Sequence, residues 1–202
     1  MKTYEYAGAP LAEPRSHPWQ GSSLDARARY LDFTAAPELI RTSLEDFEPF
    51  RRYPAIEDFY ALLERINHPK SRLESNDCAF TGPHAIETPG IKAALECSGR
   101  LMLLYRDIEQ NARKTSVSWL KTALHYQLGH LDPKFVLGTI GTTLVPVRFL
   151  ALPADAQDGE QLLVSFWAFG DSEPSVMQSL ARLFKNLSQA IRAVSARIIQ
   201  GQ

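Results

Sequence analysis

The run LESNDCAFTGPHAIETPG, residues 73–90, puts a thiol, an imidazole, carboxylates, an amide and hydroxyls into one short stretch. Two chemistries fit those side-chain types. In the first, Cys78 is a nucleophile, His84 is its base, and Asp77 or Asn76 orients the imidazole, because a thiolate needs a nearby base or cation to lower its pKa. That set would serve a small hydrolase or transferase. In the second, Asn76, Thr81, His84, Glu87 and Thr88 offer donors and acceptors to a polar ligand, most of them from an irregular loop over 81–90 punctuated by Pro83, Pro89 and Gly90. The chain would then be a small-ligand sensor. A plainer reading competes with both. Strand alternation puts Asn76, Cys78 and Phe80 on one face and Asp77 and Ala79 on the other. Cys78 and Phe80 then belong to the core, where free cysteines most often lie.

Other motifs point away from chemistry. LGTIGTTLVP carries Gly138, Gly141, Thr142 and Thr143 but lacks the lysine of a phosphate loop. His125 and His130 lie five apart, not at the i, i+4 spacing of a helical metal pair. Arg106, Asp107 and Arg148 read as ion-paired strand residues. FWAFGDSEP reads as an aromatic core strand, Phe166, Trp167 and Phe169, running into an acidic first helical turn with Asp171 and Glu173. No metal or cofactor site is expected.

Composition narrows the classes further. The chain has 202 residues, 45% apolar, with 22 Lys plus Arg against 23 Asp plus Glu. That balance lacks the basic excess of a nucleic-acid binder. The longest apolar run, LLVSFWAF, is far shorter than the roughly 20 residues that cross a bilayer. Two cysteines and a start without an apolar leader predict free thiols and a cytoplasmic location.

The elements that must position these residues follow from periodicity. Residues 1–35, rich in Pro, Gly, Ser and charge, read as an extended arm that adds little to the core, anchored by Trp19. A single α+β domain is expected over 36–202. It opens with a short helix after Pro37. A second helix follows, with Ile56, Phe59, Tyr60, Leu63 and Ile66 at helical spacing, ended by Asn67, His68 and Pro69. A strand covers about 71–80. In ALECSGRLMLLYRD, Ser98-Gly99 reads as a hairpin turn or a bulge within one longer strand, with two antiparallel strands favoured and Leu101, Leu103 and Tyr105 on one face. A helix from about 115 buries Val117, Leu120, Leu124 and Leu128 and stops at Gly129. Residues 134–153 form a strand pair or one bent strand, and QLLVSFWAF a strand buried on both faces. The last helix is amphipathic, with Val176, Leu180, Leu183, Leu187, Ile191, Val194 and Ile198 in one stripe and Ser172 as cap. Its Arg182 and Lys185 are read as solvated.

The sum is a mainly antiparallel sheet of about five or six strands, with helices packed on it. The element order resembles that of type III secretion chaperones, although this chain is longer and less acidic. With no catalytic constellation prominent, the leading expectation is a non-enzymatic binding or accessory protein: an adaptor, a chaperone-like or an immunity-type component. The Pro-rich arm and the long terminal helix are both compatible with a protein partner or with self-association as a homodimer.

Overall fold

A computed structural model describes residues 1–6, 15–18, 31–86 and 91–199. Trp19, Glu87, Thr88, Pro89 and Gly90 lie outside the described residues. Six strands form one mixed sheet: β1 Lys2–Glu5, β2 Arg15–His17, β3 Leu73–Ala85, β4 Leu95–Tyr105, β5 Gly138–Phe149 and β6 Asp158–Gly170. The order is β1-β5-β6-β4-β3, with β2 also on β5. Both short strands run parallel to β5, and every other pairing is antiparallel.

The helices are α1 Leu39–Thr42, α2 Pro54–Ile66, α3 Ile108–Ala112, α4 Lys114–His130 and α5 Glu173–Ile199, with a 3-10 helix over Glu45–Phe50. The main core lies between one face of the sheet and α2, α4 and α5. Leu101, Leu103, Leu162, Val164, Phe166 and Ala168 meet the α5 stripe there, and that stripe is buried from Val176 to Val194. Ser172 starts α5 as expected, its hydroxyl accepting the Ser175 N–H at 3.4 Å. Asn67 ends α2 and ties it to β3: its amide donates to the Leu63 carbonyl at 2.9 Å and to Ser75 Oγ at 2.8 Å.

Several local expectations change. β4 is one continuous strand through Ser98 and Gly99, with no hairpin turn. Gly99 is there for packing: a Cβ would sit 2.4 Å from the Phe166 ring and 2.4 Å from the Ala79 carbonyl. β5 takes the second of its two expected forms, one strand over Gly138–Phe149. α4 runs one residue past Gly129 to His130. Arg182 is not simply solvated. Its guanidinium grips Asp132, with Nη2 to Oδ1 at 2.7 Å, and lies 4.8 Å from the Phe135 ring centre. The ion pair holds the Asp132 carboxyl below its usual range.

The described parts of the N-terminal segment, residues 1–6 and 15–18, are docked, whereas an arm that adds little to the core was expected. Met1 is buried in the main cluster, and its amino group donates to the Asp132 carbonyl. Arg15 is ion-paired to Asp77, and His17 Nε2 lies 3.4 Å from Glu74 Oε1. β2 hydrogen-bonds β5, yet Asp77 and Glu74 belong to β3, four strand spacings away in the order. On a flat sheet that is roughly 19 Å, more than the side chains span. The sheet therefore curls over its outer face and brings its two edges together. Met102 and Gln161, which point into that curl, are buried although no main-core helix covers them.

Deleting residues 1–17 should accordingly destabilise the fold. A loss of at least about 2 kcal/mol, or roughly 4–8 °C in Tm, is expected for a chain of this size. Thermal denaturation checks it, and an unchanged Tm would contradict the docked reading.

Candidate functional site

The structure separates the two residues of the thiol hypothesis. β3 continues to Ala85, so Gly82, Pro83 and His84 lie in strand and not in the loop expected from residue 81. The strand has irregularities between Ser75 and Asp77 and between Thr81 and His84, the second of which accommodates Pro83 at a sheet edge. Gly82 leaves room for the Phe50 ring, which a Cβ would meet at 2.2 Å. Six residues of extended chain place Cys78 and His84 roughly 20 Å apart. They also face opposite ways. Cys78 pairs with Leu101 and packs on the main core, whereas His84 pairs with Glu96 on the outer face. Both imidazole nitrogens are engaged, Nδ1 with the Gly82 carbonyl at 2.9 Å and Nε2 with Glu96 Oε1 at 3.1 Å. Burial, reinforced by the Asp77 carboxylate, pushes the Cys78 thiol well above its usual range, and burial pushes Cys97 up to about 12. Asp77 serves Arg15 and Arg100, and Asn76 donates to Gln161 Oε1 at 2.6 Å. Among the described residues, no group of three or more His, Cys, Asp or Glu is placed to hold a metal ion.

A different site forms where the outer face is open. Cross-strand partners share a face, so the register aligns two rows across the sheet. One runs Lys2, Thr139, Trp167, Ser98, Thr81 through β1, β5, β6, β4 and β3. The next runs Phe169, Glu96, His84, and the Phe169 N–H reaches the Leu137 carbonyl at 2.9 Å. Tyr4 stands opposite Gly141 and lies 5.9 Å from the Trp167 ring and 5.8 Å from Tyr6, whose hydroxyl is 2.8 Å from Ser165 Oγ. Together Tyr4, Trp167, Phe169, Leu137, Val136 and Ile91 line a groove of about 480 Å³. Four of its walls are exposed large apolar side chains: Val136 at 65%, Leu137 at 41%, Tyr4 at 39% and Ile91 at 37%. These make up most of the exposed large apolar side chains among the described residues, and they converge on one place. Isolated exposed apolar residues are ordinary, whereas a contiguous patch marks an interaction surface.

The groove has a charged rim. Lys2 and Lys92 line it, and among the described residues neither is in an ion pair, while its acid, Glu96, is already held by His84. The local field therefore favours a negative group.

Of the residues singled out from sequence, Thr81 and His84 stand at the far end of the two rows, while Asn76, Asp77 and Cys78 do not reach the groove. The sequence places Trp167 and Phe169 in the aromatic core strand. Phe166 is core and Phe169 is buried, 8% exposed, on the outer face where it lines the groove, whereas Trp167 is half-exposed there. Arg106 has no acidic partner among the described residues and instead binds backbone carbonyls. Arg148 Nε donates to Gln157 Oε1 at 2.8 Å, again not to an acid. Ile91 carried no sequence signal, and Val136 and Leu137 fall in the 134–153 run read as strand, whereas β5 starts at Gly138 and leaves both beside it.

No family model, curated protein or solved structure matches the chain. Among the described residues, no helix is long and apolar enough to cross a membrane.

The two thiols supply a direct check. Native protein at pH 7.5 should react slowly with a thiol reagent at both Cys78 and Cys97, and completely once denatured, because the thiolate is the reacting form. Rapid stoichiometric labelling of Cys78 would contradict its core placement and revive the nucleophile.

Proposed function

We propose that the chain is a non-enzymatic cytoplasmic binding protein that holds an apolar segment of a protein partner, flanked by acidic residues, in the groove between β1, β5, β6 and β4. The observation that carries this is the convergence of Tyr4, Ile91, Val136, Leu137, Trp167 and Phe169 on one open surface. Lys2 and Lys92 favour acidic residues beside the apolar anchor, through rim charges that act mainly on orientation and on-rate. Aromatic walls with few rotatable bonds suit such docking, because little side-chain entropy is lost. The separation of Cys78 from His84 and the raised thiol pKa values weigh against the hydrolase or transferase reading. The unpaired cysteines support a reducing compartment.

Selection from a displayed random-peptide library tests the proposal. Enriched peptides should carry one aromatic or large aliphatic residue next to Asp or Glu. Leu137→Asp should weaken them by tenfold or more at unchanged Tm, and Lys92→Glu should abolish the preference for acidic neighbours. No enrichment, or enrichment indifferent to both substitutions, would refute it. Sedimentation of the free protein covers the other occupant: a dimer that Leu137→Asp dissolves would assign the groove to self-association instead.

A further inference from the structure

The opposite end of β4 opens into a second and larger cleft of about 870 Å³, between the ends of α2 and α5 and the start of α4. Its volume falls within the roughly 300–1,000 Å³ of small-molecule sites. β4 spans 11 residues, so the cleft and the groove lie roughly 33 Å apart.

One wall is cationic. Arg106 follows the last residue of β4, and its position is set by three hydrogen bonds to backbone carbonyls. Its N–H donates to the Arg72 carbonyl at 2.9 Å, which holds those two residues side by side. Its Nη2 donates to the Asn67 and His68 carbonyls, at 3.1 and 3.0 Å, just where α2 ends. The guanidinium is thus oriented by neutral acceptors, and its charge is left without a counterion. Lys70 and Arg72 line the same cleft. Among the described residues, none of the three is in an ion pair. The single acid on the lining is Asp107, exposed and within 3.4 Å of Gln110 Nε2.

The facing wall is apolar. Trp119 of α4 and Ile198 of α5 pack against the main core and line the cleft, and Ile199 beside them is 64% exposed. An uncompensated basic wall facing an aromatic and aliphatic one is complementary to a molecule with the same division. We infer that this cleft binds a small monoanionic carboxylate with an apolar body. The carboxylate sits against Arg106 and Arg72, and the body lies along Trp119, Ile198 and Ile199. The planar guanidinium fork matches a carboxylate, and Lys70, Arg72 and Arg106 outweigh Asp107, so the lining stays net positive.

Octanoate is the probe, with octan-1-ol as its uncharged counterpart, titrated into the full chain and followed by amide and indole NMR. Octanoate should shift the Arg106 and Ser116 amides and the Trp119 indole while leaving the Trp167 indole in place, and octanol should bind at least tenfold more weakly. Arg106→Gln should cost octanoate about tenfold or more and leave octanol unchanged. Because that substitution also strips two carbonyl partners, Arg72→Gln, at an exposed position, provides a second variant with the same expected direction. Equal binding of acid and alcohol, shifts centred on Trp167, indifference to Arg72→Gln, or no shift at millimolar octanoate would each overturn the inference.

Discussion

The Phe166 ring lies 5.0 Å from Phe184 of α5 and 6.2 Å from Phe59 of α2, directly above the bare backbone of Gly99 on β4. Phe184 and Phe59 in turn stand 4.8 Å apart, closing a three-ring contact that joins the sheet to both helices. Aromatic pairs of this kind add about 0.5–1.5 kcal/mol each beyond the area they bury. The contact also sets the phase of β6. Side chains alternate along a strand, so Phe166 inward requires Trp167 outward, and a slip of one residue would invert both faces. The groove is therefore a consequence of the core. Trp167 and Phe169 face outward because Phe166 and Ala168 face in, and the register then sets Lys2, Thr139 and Glu96 beside them.

How far the outer face is open depends on a second constraint, the pairing of the sheet's edges. Arg15 and His17 reach across to Asp77 and Glu74 and curl the sheet at one end, burying Met102 and Gln161. At the other end β1 pairs with β5 from Lys2 to Glu5 and leaves the Trp167 side chain uncovered on part of its surface. One face of the same sheet thus encloses a second buried apolar cluster, Leu104, Val147 and Phe149, at one end and serves as an apolar docking surface at the other. One of the edge residues that close it, Asp77, was a candidate for chemistry in the sequence, and it has a structural partner on each side.

Local periodicity made much of this legible. The α5 stripe and the α2 stripe repeat every three or four residues, and both are core. The mainly antiparallel α+β class followed from short connections between strands. What stayed hidden were contacts between distant parts of the chain. Gly99 looks like a turn residue until Phe166, 67 positions later, is placed above it. Residues 82–84 look like a loop because Gly82 and Pro83 are turn formers, yet Gly82 is required by Phe50 and Pro83 fits an edge irregularity. Trp167 and Phe166 are indistinguishable by hydrophobicity, and only the inward contact of one sends the other out. The groove draws one or two residues from each of four strands and two loops, and such a set has no period to detect. The cleft beyond β4 was equally silent, since Arg106 resembles any charged residue at a strand end until it is seen bound to carbonyls.

Site-specific photo-crosslinking tests the docking surface most directly. A benzoylphenylalanine at Val136, in the groove, would be compared in the native cell with one at Arg192, exposed on the opposite side of the fold. If the groove is the binding surface, irradiation at Val136 should yield one discrete adduct whose linked peptide is apolar with adjacent Asp or Glu, and the Arg192 site should yield none. The absence of an adduct at Val136, or the same adduct from both positions, would contradict the assignment of this face to partner binding.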